Sequence, residues 1–122
     1  MILVDTSVWI SLYRKENEEI GQKILALVTE NEAALCGQIW VEYLGGFRNP
    51  LERKRHEKSL RNFPFIETTR KAYERAAELL ATYPRLGSGD AIIAATSLTE
   101  KIPLFTIDKD FSVLIEEGIR LF

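Results

Sequence analysis

The 122-residue sequence predicts an α/β fold, with helices on both faces of a central parallel sheet. Three observations carry this. Short, fully apolar runs recur along the chain, as expected of strands buried on both faces. Between them lie segments with helical spacing of apolar residues. No repeat, linker or low-complexity tract divides the sequence, and its length suits one domain over residues 1–122.

The elements follow in order. Met1–Val4 is apolar throughout and reads as a first strand. Asp5-Thr6-Ser7 ends it and offers N-cap chemistry to a helix carrying Val8, Trp9, Ile10 and Leu12. Residues 17–30 space Ile20, Ile24, Leu27 and Val28 as a second helix. Ala33–Cys36 is a second strand. Gln38–Leu44 is a helix stopped by Gly45-Gly46. Pro50–Asn62 is a charged helix with proline in its first turn. Phe65-Ile66 is a third strand. Thr69–Tyr83 is a helix that turns Ala72, Ala76, Leu79 and Leu80 inward. Ser88 is positioned to cap a helix running to about Glu100. Pro103–Ile107 is a fourth strand and Ile119–Phe122 a fifth.

Composition excludes several chemistries. One cysteine, Cys36, rules out a disulfide framework and a Cys-rich zinc module. The one histidine, His56, lies in the charged run Glu52–Lys58, a poor place for the base of a Ser-His-Asp triad. Any metal must then take mainly oxygen ligands, which favours Mg²⁺ or Mn²⁺. No apolar run approaches the roughly 18 residues of a membrane span. With no export signal and a lone thiol, the expected location is the cytoplasm. A net charge of −2 gives no global basic field.

The acids are distributed unevenly. Of 18, only four are aspartates: Asp5, Asp90, Asp108 and Asp110. Asp5 is the sole charge from Met1 to Tyr13, Glu42 from Ala33 to Phe47, and Asp90 from Leu86 to Thr99. Asp108 directly follows the uncharged run Ile102–Ile107. Each has an ordinary reading. Asp5 can serve as an N-cap, Asp90 can complement a helix dipole, Asp108 can start a turn, and Glu42 can lie on a narrow polar stripe. Those readings share no cause. A divalent-metal site at the carboxyl edge of the sheet accounts for all four, because a carboxylate in an apolar segment is costly unless paired or metal-bound. Asp5 and Asp108 each follow a strand, and ligands of such sheets bind at that edge. Clustered acids without a neutral base suit metal-assisted phosphoryl chemistry.

The segments Ile2-Leu3-Val4-Asp5-Thr6-Ser7-Val8-Trp9, Trp40-Val41-Glu42-Tyr43-Leu44-Gly45-Gly46, Gly89-Asp90-Ala91-Ile92-Ile93-Ala94-Ala95 and Leu104-Phe105-Thr106-Ile107-Asp108-Lys109-Asp110-Phe111 together resemble PIN-domain proteins. The similarity is greatest to the VapC-type ribonuclease toxins of toxin–antitoxin pairs, and it spans the whole chain. It implies a three-layer sandwich around a five-stranded parallel sheet of order 3-2-1-4-5. It implies Mg²⁺- or Mn²⁺-dependent cleavage of single-stranded or loop RNA by activated water. Asp5, Glu42, Asp90 and Asp108 match the acidic quartet, with Asp5 and Asp90 at the usual direct-ligand positions. Ser7 matches a supporting polar residue. Asp110, offset by two from Asp108, reads as a helix cap, with Phe111 packed inward. The resemblance also implies a cognate antitoxin and a homodimer.

Grip on RNA must come from outside the acids. Arg48, Arg53, Lys54, Arg55, Lys58 and Arg61 form a basic segment that reads either as a phosphate-contacting arm or as a solvated helix face. Trp9, Tyr13, Trp40, Tyr43 and Phe47 are candidates for an apolar groove that takes an antitoxin segment or a second copy, with core packing as the competing fate. Two other functions stay open. One is a phosphatase of the haloacid-dehalogenase type, disfavoured because Ser7 stands where a second aspartate is needed. The other is a catalytically weak PIN module that only binds RNA or protein.

Overall fold

In the computed structural model, which describes all 122 residues, four parallel strands form one sheet in the order β3-β2-β1-β4. The strands are β1 (Ile2–Val4), β2 (Ala33–Cys36), β3 (Phe65–Ile66) and β4 (Leu104–Phe105). Leu3 is the centre of the register, facing Ala34 on one side and Leu104 on the other. All four residues of β2 are buried, so both faces of the sheet are covered.

Six α-helices provide that cover: α1 (Thr6–Arg14), α2 (Glu18–Thr29), α3 (Gly37–Gly45), α4 (Pro50–Leu60), α5 (Arg70–Thr82) and α6 (Ser88–Glu100). Caps fix several starts. Asn17 accepts from the Ile20 amide, Asn49 from those of Leu51 and Glu52, and Thr69 from that of Ala72. Ala72 and Ala76 of α5 are buried, as are Ala91, Ala94 and Ala95 of α6. These small residues let the two helices pack closely. The core gathers Leu3, Ile24, Leu35, Ile39, Leu79, Ile93, Leu104, Phe111 and Leu114, all fully or almost fully buried. No helix is long and apolar enough to cross a membrane.

Four expectations need correction. The fifth strand is a single parallel bridge, Leu104 to Leu121, held by hydrogen bonds from the Leu104 amide to the Arg120 carbonyl and from the Phe122 amide to the Leu104 carbonyl. The fourth strand is shorter than Pro103–Ile107, which limits what a fifth can pair with. It stops because the Thr106 hydroxyl accepts from the Asp108 amide and donates to Asp5, drawing the chain out of the ladder. Ser88 does not cap α6. The helix begins at Ser88 itself after Gly87, whose φ of 83° lies where only glycine sits without strain. Asp110 is not a cap either. Asp108 takes that position, its carboxylate accepting from the Asp110 amide at 2.9 Å. The chain then enters a 3₁₀ segment, Lys109–Glu117, with Phe111 fully buried as expected.

Candidate active site

Each acid reaches the carboxyl edge of the sheet by a different route. Asp5 directly follows β1 and is 4% exposed. It occupies the N-cap position of α1, yet its side chain does not cap the helix. Instead, Oδ2 accepts from the Ser7 hydroxyl at 2.7 Å and from the Thr106 hydroxyl at 2.8 Å. Glu42 lies mid-way along α3. Its Oε1 accepts from the Thr6 hydroxyl at 2.7 Å, and its Oε2 from the Gln38 amide nitrogen at 2.8 Å. Asp90 sits in the first turn of α6. Asp108 and Asp110 frame the start of the last 3₁₀ segment.

The tightest group is Asp90, Asp108 and Asp110, with one carboxylate oxygen from each within 4.8 Å of the others. Asp5 and Glu42 lie outside that trio but close enough to act on it. Asp90 is pushed up to about 7, first by burial and then by the charges of Asp5, Asp108, Glu42 and Asp110. Burial also raises Asp5, against the lowering effect of the Ser7 and Thr106 hydroxyls, and Glu42 raises it further. The dipole at the start of α6 favours a charged Asp90, but burial and like charges win. Five carboxylates thus converge with hydroxyl and amide partners alone. Such an all-oxygen donor set carries uncompensated negative charge and fits a hard divalent cation.

Thr6, Gln38, Thr106 and Gly89 were not singled out from the sequence, and all four shape the site. Thr106 is the one polar residue in Pro103–Ile107, a signal available before folding. Gly89 has no such signal. A Cβ there would stand 2.5 Å from Glu42 Oε2 and 2.9 Å from Gln38 Nε2. The clash falls on the far ends of two side chains, so the backbone has no need to move. Gly89→Ala is therefore expected to keep stability within about 1 kcal/mol of the wild type. It should nevertheless displace the Glu42 carboxylate and weaken Mn²⁺ binding by about tenfold or more. Thermal melting beside titration calorimetry checks both; unchanged Mn²⁺ affinity would contradict the role given to this close approach.

The basic segment divides. Arg53 donates to the Phe47 carbonyl at 2.9 Å, and Arg61 pairs with Glu57 at 3.2 Å. Arg48, Lys54, Arg55 and Lys58 are exposed and without acid partners. The aromatic set divides too. Trp9 is buried, donating to the Val4 carbonyl and tilting against Phe63. Trp40 packs on Phe65. Tyr13, Tyr43 and Phe47 line a groove of about 390 Å³ with Arg48 and Glu52. His56 stacks on Phe47 with ring centroids 4.2 Å apart, and its Nδ1 lies 3.2 Å from the Tyr43 hydroxyl.

A parallel sheet of order 3-2-1-4, with acids at its carboxyl edge, defines a class of α/β proteins that bind ligands at that edge. The sequence matches the PIN domain over residues 2–116, and the chain belongs to the PIN-domain family. No curated protein shows a significant sequence match to it. Among solved structures, it is similar to a toxin–antitoxin complex from Klebsiella pneumoniae at 28% identity, with a TM-score of 0.77, 92% of this chain covered and 91% of that chain. VapBC2 from Rickettsia felis, bound to a promoter DNA fragment, is 17% identical, with a TM-score of 0.80 over 100% of this chain and 98% of that one. VapC20 from Mycobacterium tuberculosis, a Sarcin-Ricin loop cleaving toxin, is 22% identical, with a TM-score of 0.69 over 93% of this chain and 94% of that one.

Proposed function

We propose that this chain is a Mg²⁺- or Mn²⁺-dependent endoribonuclease and the toxin of a VapBC-type toxin–antitoxin pair. The observation that carries the reading is the convergence of Asp5, Glu42, Asp90, Asp108 and Asp110 at one sheet edge, with Asp90 pushed up to about 7. The PIN family and the toxin–antitoxin neighbours support it. Asp90, Asp108 and Asp110 would hold the ion, with Asp5 and Glu42 completing its surroundings. A bound ion supplies a water of lowered pKa and offsets charge on the leaving oxygen.

The rest is the work of this chain's own residues. Ser7 and Thr106 fix Asp5 in one orientation by bonding the same oxygen. Thr6 and Gln38 do so for Glu42 by bonding one oxygen each. The Asp108 cap ties the Asp110 backbone to the same loop. Arg48, Lys54, Arg55 and Lys58 offer charge to RNA phosphates, while Arg53 and Arg61 contribute to the scaffold through their present partners. The groove of Tyr13, Tyr43 and Phe47 offers an aromatic seat to an antitoxin segment. A homodimer acting in the cytoplasm completes the proposal.

The test is purified protein with Mn²⁺ against total RNA, beside Asp5→Asn. The wild type is expected to cleave, EDTA to stop it, and Asp5→Asn to give no detectable product. Equal cleavage by Asp5→Asn would overturn the assignment.

A further inference from the structure

A second groove, of about 560 Å³, runs beside the acidic cluster and shares Asp110 with it. One wall is the end of α5 and the 3₁₀ turn Pro84–Leu86. The other is the 3₁₀ segment that begins at Lys109. The volume lies within the range of sites that hold a small molecule or a nucleotide, about 300–1,000 Å³.

Its charges set it apart from the acids next to it. Arg85 and Lys109 line it from opposite walls, and both are exposed. Neither has a carboxylate within 4.0 Å, although Asp110 is on the same rim. Two cations without partners, next to a cluster of carboxylates, leave a place for an anion that the cluster itself repels.

The wall behind Arg85 is held in place. The Tyr83 hydroxyl donates to Glu117 Oε2 at 3.0 Å, and Arg75 donates to Glu117 Oε1 at 2.7 Å. This bridge ties the end of α5 to the end of the opposite wall, and Tyr83 and Pro84 both line the groove. Val113, half of it exposed, adds an apolar surface across the groove. An aromatic side chain, an apolar surface and two cations without acid partners match a nucleotide: the base for the ring, the phosphate for the cations.

We propose that this groove binds the nucleotide adjoining the scissile phosphate of a single-stranded RNA, with its base against Tyr83 and Pro84 and its phosphate between Arg85 and Lys109. The proposal rests on the ribonuclease reading above. It adds a subsite that the acids and the α4 segment do not supply. Base stacking on an aromatic ring tolerates any sequence, so the subsite would serve grip and alignment rather than choice of target.

The experiment compares the wild type with Arg85→Ala/Lys109→Ala on a short fluorescent single-stranded RNA with Mn²⁺, across a salt series. The double variant is expected to raise KM about tenfold, with kcat within about a factor of two. Its salt slope should fall by about 0.7, the loss of one neutralised phosphate on a single strand. Arg85→Lys should recover most of the loss. Lys23→Ala/Lys71→Ala removes the same charge from exposed positions outside the groove. A KM and salt slope like those of the wild type would overturn the subsite, as would an equal rise in the Lys23/Lys71 control. Anisotropy with the same RNA in metal-free buffer separates the two proposals. If the wild type binds there but fails to cleave the same RNA once Mn²⁺ is added, the ribonuclease reading fails, and the groove is still judged by whether the double variant weakens metal-free binding about tenfold.

Discussion

Asp90→Asn is expected to abolish RNA cleavage while making the metal-free protein more stable. The two effects share one cause. Asp90 is half-buried and close to Asp5, Asp108, Glu42 and Asp110, so its charged form is disfavoured and its carboxyl is pushed up to about 7. The neutral amide removes that repulsion. It also removes an anionic oxygen from the tightest part of the cluster, so activity should fall by about 10²–10³ or more, as when a charge-stabilising group is lost from other enzymes.

The pH dependence has a definite sign. Folded Asp90 holds its proton more tightly than the unfolded chain, where the value is near 3.8. Its contribution to stability is therefore whole below about pH 4 and lost as pH rises through about 7. Asp5, also raised by burial, acts in the same direction. The gap for Asp90 sets an upper bound of about 4 kcal/mol, and solvent reaching the half-buried side chain lowers the expected gain in Asp90→Asn to about 1–2 kcal/mol. In EDTA at pH 8 the variant should melt about 5 °C higher than the wild type, and at pH 4 the difference should vanish. Added Mn²⁺ should stabilise the wild type more than the variant. A lower melting temperature for Asp90→Asn in EDTA at pH 8 would contradict this electrostatic account.

Phe111→Ala should be the most damaging single change to the fold. The ring is fully buried and belongs to the same core as Leu3, Ile93, Leu104 and Leu114. Loss of a buried Phe side chain costs about 3–5 kcal/mol, counting both transfer and cavity. That is a large share of the roughly 5–15 kcal/mol available to a domain. A fall in melting temperature of about 10–20 °C is expected. The position also matters to the site. Phe111 follows Asp110 directly and anchors the 3₁₀ segment that starts at the Asp108 cap. Mn²⁺ affinity should therefore drop even at temperatures where the variant is folded. A stability loss under about 1 kcal/mol would show that the core repacks around the gap, contrary to its close packing.

Local pattern reached most of the secondary structure because burial has a period. β2 is four buried residues in the apolar run Ala33–Cys36, and α5 buries Ala72, Ala76 and Leu79 at helical spacing. It failed where a side chain competes with the ladder. The Thr106 hydroxyl ends β4 two residues early, and this leaves the expected fifth strand as one bridge at Leu121. The aromatic residues show the same limit. Trp9 and Tyr13 stand four apart on α1, yet Trp9 is buried against Phe63 while Tyr13 joins Phe47 at an exposed groove. Which of them meets the core depends on where the helix lies on the sheet.

From the sequence alone came the strands and helices in order, the acids each isolated in an apolar segment, and the carboxyl edge as their meeting place. Those are local properties, set by hydrophobic spacing and by the scarcity of charge. The tertiary structure decided which oxygens lie together. It placed Asp110 beside Asp90 and Asp108, brought Thr6 to Glu42 across 36 positions, and brought Thr106 to Asp5 across 101. It also joined Arg53 to the Phe47 carbonyl and left Arg85 and Lys109 facing one groove. The physical reason is reach. A hydroxyl or carboxylate acts over about 3 Å, and only the register of parallel strands with the crossing of their helices brings distant residues within it.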